Sequence, residues 1–554
     1  MTSRSILLRR TLLFLAVVAA PGLHAQSLPD AGRVLRDTER NALELPPRQQ
    51  LDIALPDEGQ ATPADSGVRL RVREFRFTGN SAVGNDELAA LLADLRGQEL
   101  SLAQLQAAAL RITRLYRERG YPLARAWLPQ QEIDDGVLRI DVLEGRYGEV
   151  RVENGTHTRA TALRPLGNLK SGDVVESAPL EKNLLLVRDL PGVELRSTLQ
   201  PGASVGTTDL VVEVLPGKRF DGSIELDNFG NYYTGEYRLG GSFNINNPLG
   251  LGDQLSLRVL GSDGDQRYGR LGWQGSMGAL GTRVGVAYSA MRYELGRDFA
   301  VLDASGKADI ASAWVMQPLL RSRDFTLSLS LQYDAKRLED SIDLIGARSS
   351  KRTDVWALGL NGYGADDWMG GGLSSFALTL GAGRLDLEDP QARLIDAVTA
   401  RTQGSYRKLN ASAARLQRLG GAFSLLAQVE AQWTGDNLDS SEKFALGGVY
   451  GVRAYPQGEA AGDKGMLARV ELRYALTPGW QLAAFADHGR VRLNHRPWSA
   501  GDNSRELSGA GLGVNWTHGG WQAALGAAWK LGSEDALSGP DREPRLWAQL
   551  VRRF

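Results

Sequence analysis

The sequence predicts a mixed fold: two small α+β domains in tandem, followed by an all-β transmembrane barrel of sixteen antiparallel strands. Three observations predict it. From residue 220 to the end the hydropathy period is two, in sixteen segments separated by turns. No apolar run past the N-terminus reaches the roughly 18 residues a spanning helix needs. Mean hydropathy is −0.26, as it would be where strict alternation hides the apolar face from an average. Turns also alternate between short, as in PLGLGD at 248–253, and long, as at 387–403 and 434–464. A barrel has short turns at one rim and long loops at the other.

Whole-chain properties narrow the function. A chain of 554 residues exceeds one ordinary core. The net charge of −1 offers nothing to nucleic acid. Cysteine is absent, which removes disulfides, thiol nucleophiles and thiolate metal sites together.

Residues 1–25 read as a signal peptide. Arg4, Arg9 and Arg10 precede an apolar run at 11–20, and Leu23-His24-Ala25 is an acceptable cleavage site before Gln26. Residues 26–43 contain a helical pattern at 30–41, DAGRVLRDTERN, with little apolar surface. A polar helix this short is marginal alone, so it frays or sits inside something polar. Residues 44–69, with Pro46, Pro47, Pro56 and Pro63, read as a flexible linker.

Residues 70–145 form the first small domain. A strand at 72–77 precedes a short helix at 86–95. A second helix starts at a capping box of Ser101 and Gln104, with Leu100 and Leu105 as staple. Its apolar face is Leu102, Leu105, Ala109, Ile112 and Tyr116, and Gly120 and Pro122 end it. Strands at 124–130 and 137–143 follow, turning at Asp135-Gly136. Residues 146–217 repeat the plan, with strands at 149–152, 193–199 and 209–215 and a helix at 179–190. Strand edges in such domains can accept an extended peptide.

Residues 218–554 carry the barrel strands: 220–229, 236–246, 253–262, 266–276, 281–293, 306–320, 323–337, 352–364, 371–386, 404–416, 423–433, 465–476, 479–493, 506–517, 521–531 and 544–554. Most have the 9–11 residues or so that a tilted spanning strand requires. Eleven of the twelve tryptophans lie past residue 217, often near strand ends, as an interfacial girdle would place them. The terminal Phe554 on an amphipathic strand suits delivery to the outer membrane. A soluble repeat-type β protein is the alternative.

The glycine-rich stretch GGVYGVRAYP at 447–456 lies in the loop 434–464, between strands eleven and twelve. Arg453 on a tight aromatic loop calls for a carboxylate, and Asp487 in FADHG at 485–489 is the best candidate. The loop either folds inward and is pinned there, or is a surface turn with a solvated arginine. Sixteen strands leave an aqueous lumen unless something plugs it. This loop and the helix at 26–43 are the two candidate plugs.

Catalytic and ligand-binding signals are weak. The five histidines are scattered. His488 adjoins Asp487, but a strand puts the two on opposite faces. Asp263-Gly264-Asp265 lacks the remaining ligands of a calcium loop. GAGLG at 509–513 lies in a β pattern with no helix after it, so it reads as close packing. The expectation is therefore no enzyme activity, no cofactor and no metal.

These motifs together resemble the outer-membrane transporters of two-partner (type V) secretion, the haemolysin secretion/activation and filamentous-haemagglutinin type. The first domain matches the family's POTRA (polypeptide-transport-associated) motif through Gly120-Tyr121, Leu128-Pro129-Gln130, Ile133, Gly136 and Glu144-Gly145. The barrel matches at Asp227-Asn228-Phe229-Gly230, at Thr234-Gly235 and at 247–253. The family's Val-Arg-Gly-Tyr loop motif stands here as Val452-Arg453-Ala454-Tyr455, and its strand partner as Phe485, Asp487 and Gly489. Ala454 replaces the family glycine. Were positive φ required there, alanine would cost on the order of 1 kcal/mol or more.

The resemblance implies that Arg453 reaches Asp487 inside the lumen and acts as a latch. It implies that the POTRA region around Tyr121, Leu128, Pro129 and Gln130 recognises a secreted exoprotein of the same two-partner system. That partner would cross the barrel unfolded and without ATP. Outer-membrane lipid and, during biogenesis, the barrel-assembly machinery are the other expected partners. A barrel-assembly insertase shares the architecture and is the alternative.

Overall fold

The computed structural model describes residues 28–40, 45, 53–54, 69–133 and 135–554. The signal peptide at 1–25, the start of the 26–43 segment and most of the linker at 44–69 lie outside the described residues.

The described chain begins with helix α1 (Ala31–Glu39) and the two-residue strand β1 (Ile53–Ala54). The first domain comprises β2 (Arg69–Arg71), β3 (Glu74–Thr78), α2 (Asn85–Leu91), β4 (Glu99–Ser101), α3 (Leu102–Glu118), β5 (Arg125–Trp127) and β6 (Val137–Leu143). Its main sheet has the order β3-β6-β5. Helix α3 starts where expected, because the Ser101 hydroxyl accepts from Gln104 N while the Gln104 side chain accepts from Ser101 N. Leu105, Ala109, Ile112 and Tyr116 are buried on the sheet, whereas Leu102, on the predicted face, stays exposed at the helix start. At the exit of the domain the buried Glu144 accepts from Ser81 N, Ala82 N and the Tyr116 hydroxyl. Burial pushes its carboxyl up, but these donors hold it below the ordinary carboxylate range.

One strand is shorter than its sequence pattern. The segment 124–130 pairs only over Arg125–Trp127, and Leu128, Pro129 and Gln130 leave the sheet. Continuing the register that sets Trp127 opposite Asp141 would bring Pro129 opposite Arg139, and proline has no N–H to donate. The Gln131 carboxamide fills the gap. Its Nε2 donates to Arg139 O and its Oε1 accepts from Arg139 N, both at 2.8 Å.

The second domain comprises β7 (Arg146–Asn154), α4 (Ser177–Arg188), β8 (Val193–Pro201) and β9 (Thr207–Pro216). Its sheet order is β1-β8-β9-β7, so Ile53 and Ala54 add a parallel strand beside Ser197 and Thr198.

The barrel closes with sixteen antiparallel strands. They begin with β10 (Phe220–Asp227), β11 (Arg238–Asn246), β12 (Gln254–Ser262), β13 (Arg267–Met277), β14 (Thr282–Glu294) and β15 (Ala304–Arg321). Next come β16 (Phe325–Ile342), β17 (Ala347–Asp366), β18 (Gly372–Leu387), β19 (Gly404–Gly420) and β20 (Phe423–Thr434). Two short strands, β21 (Phe444–Ala445) and β22 (Ala461–Gly462), lie outside the wall. The wall resumes with β23 (Lys464–Thr477), β24 (Trp480–Arg492), β25 (Ser504–His518), β26 (Trp521–Lys530) and β27 (Arg545–Arg553). Strands β16 and β17 run five residues past their predicted ends on the rim away from the α+β domains. Residues there are mostly polar, so the alternation fades although the ladder continues.

The second domain sits under one rim. Asn247 Nδ2 donates to Thr158 Oγ1 at 2.8 Å, and Arg159 N donates to Gly250 O at 2.7 Å. Arg321 forms a bidentate pair with Asp189 at 2.7 and 2.9 Å. The short turns are therefore on the domain side, and the loop between β20 and β23 starts from the opposite rim.

Candidate functional site: the inward loop and the lumen helix

That loop, residues 435–463, does not stay at the rim. The pairing of β21 with β22 folds it as a hairpin, and its apolar residues Leu446, Val452, Ala454 and Tyr455 are buried with Leu467, Phe485 and Leu507 of the wall. Strand alternation places Phe485, Asp487 and Gly489 on the lumen face of β24. Each does something different for the loop. Asp487 accepts from Arg453 Nε at 2.9 Å and Nη2 at 2.8 Å, and from Arg453 N at 3.1 Å. The Phe485 ring lies 3.4 Å from the Arg453 guanidinium carbon, a cation–π contact. Gly489 leaves room for Leu446, since a Cβ there would fall 2.3 Å from its Cδ1.

Two further groups complete the arginine site. Glu471 on β23 accepts from Arg453 Nη1 at 2.7 Å, and Trp547 Nε1 on β27 donates to Arg453 O at 2.7 Å. The Tyr455 hydroxyl donates to Glu534 O at 3.1 Å. Val452 is fully buried. Ala454 lies outside the left-handed region, so it carries no positive-φ strain. Its Cβ is accommodated because residue 509 on β25 is glycine; a Cβ there would be 2.6 Å away.

The root of the loop is held by the reverse arrangement. Glu442 is buried between Lys336 of β16 and Lys408 of β19, both at 2.8 Å. Burial raises its carboxyl, but the two ammonium groups pull it down to about 2. Asp439 pairs with Lys351 of β17 at 2.7 Å.

Helix α1 lies in the lumen between this loop and the wall. Ala31, Val34 and Leu35 pack on Tyr233, Met291, Tyr293 and Leu338, so three apolar residues seat a helix of otherwise polar composition. The Asp30 side chain caps the helix by accepting from Arg33 N at 2.9 Å. Lys351 sits 3.2 Å from Asp30, and, against the upward push of burial, holds it at about 2. Arg33, Arg36 and Arg40 share the opposite face, at spacings of three and four. All three donate to loop carbonyls. Arg33 reaches Gly458 O, and Arg36 reaches Ser440 O at 3.0 Å and Lys443 O at 3.3 Å. Arg40 reaches Ala445 O at 3.0 Å and Tyr450 O at 2.8 Å.

The other sequence-predicted residues lie outside this cluster. In the first domain Tyr121 packs edge-on against Tyr116 at 5.7 Å, and Leu128 packs on the same core. Pro129 is half-buried and Gln130 exposed. Phe554 is half exposed, and its N and O pair with Gly222. His488 points outward with Nδ1 2.9 Å from Ser508 Oγ. The sequence reading missed Glu471, Trp547, Glu442, the helix arginines and Gln131. For Glu471 a signal exists: its side chain alternates onto the lumen face of the strand preceding Asp487.

Comparison with known proteins agrees with this architecture. Residues 206–516 match the family described as haemolysin secretion/activation protein ShlB/FhaC/HecB, and residues 70–145 match the ShlB-type POTRA domain. The heme/hemopexin transporter protein HuxB of Haemophilus influenzae strain 86-028NP is 26% identical, over 98% of this chain and 97% of its own. The outer membrane transporter CdiB of Escherichia coli is 24% identical, over 93% of this chain and 87% of its own. The solved structure of CdiB from Escherichia coli superposes with a TM-score of 0.71 at 22% identity, covering 99% of this chain and 98% of that one. BamA of Haemophilus ducreyi shares the fold at a TM-score of 0.51, but the family match decides against the insertase alternative. This chain belongs to the ShlB/FhaC/HecB haemolysin secretion/activation family: it is an outer-membrane transporter of two-partner secretion, with its POTRA region in the periplasm.

Proposed function

We propose that this transporter exports one large exoprotein, of the kind its relatives' names suggest, by threading it unfolded through the lumen. The observation that carries the reading is that one loop is held inside the lumen from two sides. Arg453 ties it to β23 and β24, and five hydrogen bonds from Arg33, Arg36 and Arg40 tie it to α1. A translocating chain must displace that helix and the loop's root, so Arg453 serves as the latch. The POTRA region around Tyr121, Leu128, Pro129 and Gln130 meets the exoprotein first. Folding outside the cell supplies direction, and no nucleotide, cofactor or enzymatic step is needed. Nucleic acid is not a partner, and Phe554 serves recognition by the barrel-assembly machinery.

Deleting the gene tests this reading. Loss of a neighbouring large exoprotein from the surface and medium, with other barrels still assembled, is the expected outcome. Unchanged secretion of it would overturn the reading.

A further inference from the structure

The outer wall of β13–β17 carries a charge pattern that transport through the lumen does not use. On this wall Val315, Leu331, Leu358 and Leu380 form one cross-strand row of apolar, membrane-facing side chains. Two residues further from the periplasm, Tyr333 and Trp356 pair across the same strands. Aromatic residues at that height mark the interface of the bilayer. Beyond them the outward positions become charged, with Arg267, Arg292, Lys307, Arg337 and Arg352 interspersed with Asp265, Glu294, Asp309, Glu339 and Asp354, and with Asp386 of β18 opposite Arg352.

The register of these basic residues is unusual. Arg267 of β13 stands directly opposite Arg292 of β14, which stands directly opposite Lys307 of β15. One ladder step nearer the membrane, Arg337 of β16 stands directly opposite Arg352 of β17. All five are exposed. Like charges directly opposite on neighbouring strands destabilise a sheet. Carboxylates relieve only part of it: Glu339 pairs with Lys307 at 2.9 Å, Asp354 approaches Arg352 at 3.5 Å, and Asp265 lies 3.8 Å from Arg267. Asp309, opposite Ala290 and Arg337, is taken by the Tyr288 hydroxyl at 2.6 Å. Among the described residues Arg292 and Arg337 have no ion-pair partner.

The geometry points to a binding site for a phosphorylated glycolipid of the outer leaflet, with its phosphates between the facing rows. Three features select this occupant. The side chains point away from the lumen, so the exported chain cannot reach them. They stand just beyond the aromatic and apolar rows, where acyl chains end and headgroups begin. Arginine forks match phosphate oxygens bidentately, and five strands span about 19 Å, enough for two phosphates of one headgroup.

The test uses the purified full-length protein in detergent, with bisphosphorylated lipid A as probe, bound lipid read by native mass spectrometry and stability by heat-modified gel mobility. Wild type should bind the probe and unfold at a higher temperature with it. Arg292→Gln/Arg337→Gln/Arg352→Gln should weaken binding by about tenfold or more, as expected for loss of several headgroup contacts. Arg337→Lys/Arg352→Lys should keep most of it. Should the triple variant fail to fold, Arg292→Gln/Arg337→Gln is read in its place. Equal binding by the glutamine variant, equal binding of lipid A stripped of phosphate, or full competition by inorganic phosphate would each overturn the assignment; the last would mean a simple anion site.

Discussion

At its tip the inward loop puts one cation between two carboxylates; at its root it puts one carboxylate between two lysines. Arg453 meets Asp487 through a bidentate fork, meets Glu471 with its remaining amine and rests on Phe485. Glu442 meets two point charges that reach in from β16 and β19. A planar guanidinium fixes orientation as well as charge, whereas an ammonium on a flexible stem fixes charge alone. The tip is thus built to hold one geometry. The root is built to hold a position, and its contacts re-form easily once broken. The loop is strung between these anchors with α1 beneath it.

The largest expected effect is at the tip. Arg453→Ala leaves the fully buried Asp487 carboxylate without its main partner, a loss of roughly 3–5 kcal/mol. Secretion should fall sharply while the barrel remains in the membrane, measured as exoprotein in the medium against heat-modifiable barrel in the outer membrane. Arg453→Lys should recover only a minor part. Full recovery by lysine would mean that charge alone suffices, and the contrast between the two anchors would be lost.

At the root, Glu442→Gln keeps the shape and removes the charge, and should cost about 1–3 kcal/mol. The native chain has no cysteine, so a single Ser440→Cys reports on the root. An impermeant thiol reagent should label it faster in the Glu442→Gln background. Labelling at the native rate would remove Glu442 as an anchor.

Acidity sharpens the same comparison. The Glu442 carboxyl is held at about 2, below its ordinary value of 4.5. Its contribution is therefore complete above pH 4.5 and is lost as pH falls toward 2, on the order of 3 kcal/mol in all. Bilayer conductance should rise over that window in wild type and rise less in Glu442→Gln, where the Asp30 carboxyl, also held at about 2, still titrates. Identical pH profiles would assign the rise elsewhere.

The smallest effect concerns packing. Gly509→Ala would put a Cβ 2.6 Å from that of Ala454 and should cost about 1–3 kcal/mol. Combining it with Ala454→Gly should restore secretion and gel mobility. A Gly509→Ala protein with native behaviour would show that the tip is not seated on β25.

By itself the sequence determined the features that depend on neighbours along the chain. The period of two gave sixteen strands because each alternates its side chains between lipid and lumen. Ser101 and Gln104 marked a helix start because a capping box closes within four residues. Arg453 and Asp487 were legible because each sits in a distinctive local pattern. Only the tertiary structure decided what depends on register between distant strands. Glu471 and Trp547 join the arginine, and Lys336 and Lys408 enclose Glu442, because barrel closure brings four separate strands around one loop. Alternation says which face a residue occupies and not which residue it meets. Gln131 illustrates the same limit: its carboxamide replaces a backbone pair that Pro129 cannot make, a substitution visible only once β5 and β6 are side by side.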